Sequence, residues 1–262
     1  MKKIISATIC LFLLFGLPFL VSGLPVFDFE NDDEQNSVEN AIKSVNPDLC
    51  VGKFIALTFD DGPTSVTMQI LDELAKYNAR ATFFVLGHRL ADYPETTLRI
   101  VNEGHQIGNH SYSHKQLNKI SPKELYAELD KANEAIFKAT GVTPTILRPP
   151  YGAFNKKVIE AAEVRGMAVI HWSLDPVDWV EGVSASKVSQ RVLKNVKEGD
   201  IILLHDLYPQ SGQAAATILK ELTERGFSFV TVDELITHYS TKIEPGSVYE
   251  SGNKKFNTVE CN

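Results

Sequence analysis

The chain has 262 residues, 44% of them hydrophobic and 23% charged, which is enough to bury one substantial core without requiring a second domain. Its formal net charge is -7 and it carries no long basic run, which excludes the electrostatic footprint of a nucleic-acid binder. A neutral or cationic polymer is the better-matched partner.

Met1-Lys2-Lys3, an apolar block from Ile4 to Val21 and then Ser22-Gly23-Leu24-Pro25 have the basic, apolar and small-residue regions of a secretory signal peptide. Residues 1–23 are therefore expected to be removed, placing the mature protein outside the cell or at its surface. A retained membrane anchor is the alternative, because the block approaches spanning length; no later segment reads as a span. Residues 24–50 are acidic and lack an apolar period, most plainly in Asp28 to Asn36, and read as a linker or N-terminal arm. Removing the signal also removes Cys10 and leaves Cys50 and Cys261. In an oxidising compartment that even pair is expected to form a disulfide, clipping the C-terminal tail to the start of the folded domain.

The folded region, residues 51–240, opens with Phe54, Ile55, Ala56, Leu57 and Phe59, a buried strand that stops on Asp60-Asp61-Gly62-Pro63. Val66, Ile70, Leu71 and Leu74 then recur at helical spacing, and Ala81 to Leu86 form a second buried strand. A helix from Thr96 to Asn102 ends at Gly104, and a short strand at Gln106-Ile107 runs into Asn109-His110. Ser121-Pro122-Lys123-Glu124 gives the next helix an N-cap, a first-turn Pro and an N3 Glu, and Gly141 closes it. Strands at Thr145 to Leu147, Met167 to Ser173, Ile201 to Leu204 and Phe227 to Val230 alternate with helices at Asn155 to Arg165, Ser184 to Val196, Gln213 to Arg225 and Asp233 to His238. This rhythm predicts an α/β fold with parallel pairing, either a barrel or a doubly wound sheet. From Glu244 onward, within a C-terminal tail of residues 241–262, no periodicity is visible and an irregular extension is expected.

The strand ends carry the chemistry. Alternation along an extended chain sends the carboxylates of Asp60 and Asp61 to different sides, so one can hold a metal while the other serves as a base. His110-Ser111-Tyr112-Ser113-His114 places two imidazoles four apart, one helical turn, and Asp61 can complete a set of two histidines and one carboxylate, a catalytic rather than structural metal arrangement. Arg148, Asp178-Trp179 and His205 stand at three further strand ends. Singly, Arg148 reads more readily as a surface ion-pair partner, Trp179 as core and His205 as a satisfied core histidine. Five such strand ends together are more than packing requires.

These segments resemble the five ordered motifs of the polysaccharide deacetylase family, carbohydrate esterase family 4: Thr58 to Pro63, His110 to His114, Arg148-Pro149-Pro150-Tyr151-Gly152, Asp175-Pro176-Val177-Asp178-Trp179 and Leu203-Leu204-His205-Asp206. The resemblance covers about Lys53 to His238 with no catalytic position substituted. It implies a distorted (β/α) barrel and a divalent metal, zinc foremost with cobalt or nickel as alternatives, held by Asp61, His110 and His114. It further implies Asp60 as general base, His205 as general acid, Arg148 making a bidentate contact with Asp60, and Asp178 bonded to His205. Tyr151, whose backbone N–H would serve the oxyanion, is expected with Trp179 and Leu203 to wall the acetyl slot. The implied activity is metal-assisted de-N-acetylation of N-acetylglucosamine units in peptidoglycan or chitin, since family members acting on N-acetylmuramic acid often have Asn at the second Asp. An acetylxylan-type O-acetyl esterase and a catalytically silent carbohydrate binder are the alternatives. A non-haem iron oxygenase is a more distant one, because two histidines and a carboxylate also suit ferrous iron.

Overall fold

Strand formation follows apolar content. The first strand, β1 (Lys53–Asp60), is buried from Ile55 onward and pairs with three other strands of the sheet. The protein is described by a computed structural model covering residues 52–239 and 242–255. The expected signal peptide, the acidic arm, Cys50 and Cys261 lie outside the described residues.

The remaining strands are β2 (Thr82–Val85), β3 (Gln106–Asn109), β4 (Ile146–Leu147), β5 (Ala168–Ile170), β6 (Ile201–His205), β7 (Phe227–Phe229), β8 (Val248–Ser251) and β9 (Lys254–Lys255). They form one sheet in the order β6-β1-β2-β3-β4-β5-β8-β9, with β7 on the early half of β1, and every pairing up to β8 is parallel. Between β5 and β6 the sheet almost closes on itself: Leu174 bridges Ile202, and Leu203 N–H donates to Leu174 O at 3.0 Å. Parallel strands need long crossovers, and helices supply them. These are α1 (Ser65–Lys76), α2 (Pro94–Asn102), α3 (Pro122–Thr140), α4 (Lys156–Glu163), α5 (Ala185–Asn195), α6 (Pro209–Glu224) and α7 (Val232–Tyr239). The result is the distorted (β/α) barrel, in which β4 and β5 are only two and three residues long.

Period-2 alternation decides which side chains face the helices and which face inward. Ile55, Leu57 and Phe59 pack outward with Ile70, Leu74, Val192, Ile218 and Leu222 of the surrounding helices. Ala56, Phe84, Ile146, Ala168, Ile170 and Ile201 pack together in a second cluster, joined by Val232, Leu235 and Ile236 of α7. By the same alternation Asp60 belongs with Ala56 and Thr58 on the inner face.

Beyond Glu244 the expectation of an irregular extension fails. Val248–Ser251 forms β8, which pairs in parallel with β5 through Val169 and Ile170. Val248 and Tyr249 are both 1% exposed. Four residues are too short to display a period, so only the open edge of β5 reveals the strand.

Candidate active site

Register assembles the site. Asp60 on β1 pairs with His205 on β6, and Asn109 on β3 pairs with Leu147 on β4, so His110 and Arg148 leave adjacent strands side by side. The C-terminal ends of parallel strands are where such folds build ligand sites. The motif residues converge there.

Asp61 does not follow the alternation. Its φ of +78° takes it out of the extended region, and its carboxylate enters the same cleft as that of Asp60 instead of the opposite side. Asp61 Oδ1 lies 3.5 Å from His110 Nε2 and 3.2 Å from His114 Nε2, while Asp60 Oδ2 stands 3.8 Å from His110 Nε2. The His110 to His114 segment is likewise not a helical turn. It is a loop in which Ser111 (φ +68°) and His114 (φ +61°) are left-handed. Hydrogen bonds replace the helical ladder: Ser111 N–H donates to Asn109 Oδ1 at 2.7 Å and His114 N–H to Ser111 Oγ at 2.9 Å. The rings still converge, with centroids 5.2 Å apart.

His110 Nδ1 lies 2.6 Å from Arg148 O. A carbonyl can only accept, so Nδ1 carries the proton and Nε2 is free to act as a ligand atom. One ligand atom from each of Asp61, His110 and His114 lies within 4.8 Å of the others, and Asp61 Oδ1 is buried without a hydrogen-bond partner. Crowding two imidazole nitrogens around an orphaned carboxylate oxygen is costly in isolation. The set fits a divalent cation. Burial alone would raise the Asp61 carboxyl, but His110, His114 and His205 outweigh it and hold it down at about 2. Burial, aided by His110, lowers His114 and keeps it neutral.

Arg148 is fully buried and contacts Asp60, although not as the expected bidentate pair. One guanidinium nitrogen donates to Asp60 Oδ1 at 2.9 Å and to Thr58 Oγ1 at 2.6 Å. The others are taken up by Ile170 O at 3.3 Å and His171 O at 2.8 Å, and the guanidinium sits 4.2 Å from the Phe84 ring centroid. Its fork is spent on tying β1 to β5, and a single bond remains for the carboxylate.

Asp178, also fully buried, accepts His205 Nδ1–H at 2.8 Å through one oxygen; the other accepts His205 N–H at 2.8 Å and the Ser211 hydroxyl. Burial works against a charged imidazole, but the bond to Asp178 and the charges of Asp178, Asp60 and Asp61 lift His205 to about 9. It is therefore cationic at neutral pH, with Nδ1 engaged.

Asp60, Asp61, His110, His114 and His205 line a cleft of about 410 Å³, whose walls include Tyr151, Trp179 and Leu203. Tyr151 is 66% exposed and its ring meets that of His114 edge-on at 4.6 Å; Trp179 is 51% exposed and Leu203 is buried. The same walls include Trp172, Asp175 and Tyr208, which sequence reasoning passed over. Tyr208 stands three residues after His205, a proximity that could have signalled it. Trp172 reads as an ordinary strand residue; only the tight approach of its ring to Gly152, where a Cβ would fall 2.6 Å away, brings it into the cleft wall. A larger concavity of about 840 Å³ opens at the other end of the strands, lined by Tyr77, Arg80, Arg99, His105 and Phe227 among others, and none of the motif residues reaches it.

Fold and site together define the class: a parallel β/α barrel whose strand ends carry a two-histidine, one-carboxylate cluster flanked by a carboxylate on one side and an aspartate-held imidazole on the other. The polysaccharide deacetylase family model matches residues 51–170. A peptidoglycan-N-acetylglucosamine deacetylase of Bacillus cereus is 39% identical over 193 residues, 71% of this chain and 89% of the relative. The chain belongs to the polysaccharide deacetylase family. The peptidoglycan-N-acetylglucosamine deacetylase PgdA of Listeria monocytogenes is 44% identical over 204 residues, 78% of this chain but 42% of the relative, so the chain spans less than half of that protein's length. A solved structure of the peptidoglycan deacetylase PdaC from Bacillus subtilis superposes with a TM-score of 0.69 at 42% identity, covering 72% of this chain and 93% of the other. PdaC is named a peptidoglycan-N-acetylmuramic acid deacetylase.

Proposed function

We propose that this protein removes acetyl groups from N-acetylglucosamine units of peptidoglycan, outside the cell or at its surface. The observation that carries this reading is the single cleft in which Asp60 and His205, register partners on adjacent strands, flank the Asp61, His110 and His114 cluster.

A divalent cation, zinc foremost, would be held by Asp61, His110 and His114 and would supply, when bound, the Lewis acidity that makes a water nucleophilic near neutral pH. The chain's own residues move the protons. Asp60, its charge balanced by the buried Arg148, accepts the proton of the attacking water. The backbone N–H of Tyr151 stabilises the oxyanion that develops on the acetyl oxygen. An amide nitrogen cannot leave as an anion, so protonated His205, held by Asp178, donates to it as the bond to the acetyl carbon breaks. Acetate and a free amine result. The methyl group lies against Leu203, Trp179 and the Tyr151 ring.

Two supports favour this substrate: the Asp60-Asp61 pair in place of Asp-Asn, and relatives named for peptidoglycan. N-acetylmuramic acid units are the nearest competing reading, because one relative of 44% identity is named for them. Chitin, acetylxylan and a silent binder stand further off. Acetate release is to be measured on peptidoglycan, chitooligosaccharides and acetylxylan, with and without a chelator. Chelator-sensitive release from peptidoglycan, with glucosamine as the amine product, is expected. Muramic acid as the product, release only from acetylxylan, or no release at all would each replace the reading. Asp60→Asn should lower kcat by about 10²- to 10⁴-fold with metal retained, whereas His110→Ala should lose the metal.

A further inference from the structure

The His110 to His114 loop is held in an unfavourable shape by a residue outside every strand-end motif. Two of its five residues are left-handed without being glycine, a conformation that persists only where surrounding structure over-determines it. The surrounding structure here is α3. Glu128, 6% exposed, turns its carboxylate onto the loop: Oε2 accepts Tyr112 N–H at 3.1 Å and Ser113 N–H at 2.8 Å, and Oε1 accepts the Ser113 hydroxyl at 2.8 Å. Lys115 Nζ stands 3.7 Å from Oε1, half exposed. From the same helix, Leu129 O, on the next residue, and Asn133 Oδ1, little more than a turn on, accept from Asn109 Nδ2 at 3.1 and 2.7 Å, and Asn109 is the residue immediately before His110. The loop is thus pinned just before its first imidazole and again midway to its second.

We propose that Glu128 is a positioning residue that sets the separation and aim of the His110 and His114 imidazoles, so that α3 pre-forms the cation site. Without Glu128 the Tyr112 and Ser113 N–H groups lose their acceptor, and the loop is left with the bonds from Ser111 N–H to Asn109 Oδ1 and from His114 N–H to Ser111 Oγ and those that its Ser111 and Tyr112 carbonyls accept from Gly87 and His88, none of which fixes the stretch between the two left-handed residues from the α3 side. Geometry rather than charge is what the loop requires. A Gln at 128 can accept both N–H groups through its one oxygen and present its amide nitrogen to Ser113 Oγ. An Asp, one methylene shorter, cannot reach.

This inference rests on the cation reading above, and the experiment separates the two. Cobalt(II) is titrated into the purified full chain and followed by its visible absorption, with zinc affinity measured calorimetrically and metal-free thermal unfolding recorded as a check on folding. Wild type and Glu128→Gln are expected to agree within about threefold in affinity and in band position. Glu128→Asp and Glu128→Ala should bind about 10- to 100-fold more weakly, with an altered cobalt band, while His114→Ala should bind more weakly still. A folded Glu128→Asp that binds as wild type does overturns the clamp, whether or not Glu128→Ala folds. A Glu128→Gln as impaired as Glu128→Asp overturns the geometric assignment. If wild type takes up no more cobalt than His114→Ala, the cation reading itself fails and takes this one with it.

Discussion

His205 and Asp178 illustrate how one buried pair decides a charge. Asp178 has no exposure and spends both oxygens on His205 and Ser211, so the imidazole gains a proton it would ordinarily lose near 6.5. Because the folded value is raised, the stabilisation is fully present below pH 6.5 and is lost as pH rises through about 9. In the metal-free protein the His205 ring should therefore titrate near 9 by NMR, and Asp178→Asn should lower that midpoint. Added cation should lower it as well, since positive charge nearby disfavours the imidazolium. Gly62 is a second single-residue determinant. A Cβ there would fall 2.0 Å from a carboxylate oxygen of the buried Asp206. Gly62→Ala should accordingly destabilise the protein by about 1–3 kcal/mol in urea unfolding and disturb the adjoining Asp61.

Among the elements, α1 is tied to the site at its first turn. Thr64 caps it, accepting Val66 N–H at 3.0 Å, while its hydroxyl donates to Asp206 O at the end of β6; Thr64 N–H in turn donates to Thr67 Oγ1 at 2.7 Å. The hydroxyl therefore secures both a helix terminus and the join between the β1 and β6 ends. Thr64→Val keeps the shape and loses both bonds, and should cost about 2 kcal/mol in stability, read by the urea midpoint, with Thr64→Ser close to wild type. The loop between β3 and α3 follows the opposite logic. It has no ladder of its own, and its conformation is supplied by Asn109, Ser111 and Glu128.

At the scale of the molecule, near-closure of the barrel brings Leu174, beyond β5, against Ile202 of β6 and Ser251 of β8 against Asp200, and leaves the two ends of the sheet with different chemistry. One end holds Asp60, His205 and the Asp61, His110 and His114 cluster; the other holds the larger concavity with His105. His105 is buried, its Nδ1 accepts Ala81 N–H at 3.2 Å, and burial lowers it to about 4 against the opposing charge of Glu103. A lowered folded value means the unfolded chain binds the proton first, so stability present above pH 6.5 is lost as pH falls through about 4. The loss should approach about 3 kcal/mol, and unfolding midpoints measured between pH 7 and 4 should flatten in His105→Gln.

Much of this was legible because it is local. The apolar run ending at Asp60, the cap at Ser121, the glycine after Thr140 and the alternation of strand and helix depend on residues a few positions apart, and the structure returns them nearly in place. The likeness of five ordered segments to one family, together with that rhythm, was enough to expect the barrel and the site residues. What the linear chain could not decide was conformation imposed from afar. Asp61 turned left-handed and joined Asp60 in one cleft, the histidine segment became a pinned loop, Arg148 gave Asp60 one bond and spent the rest across the barrel, and Val248–Ser251 became a strand on the edge of β5. Each depends on partners brought near only by folding: Glu128 lies 16 residues from Tyr112, and Thr58 lies 90 from Arg148. Composition and spacing determine which groups can do the chemistry, whereas only packing between distant segments fixes where their atoms point.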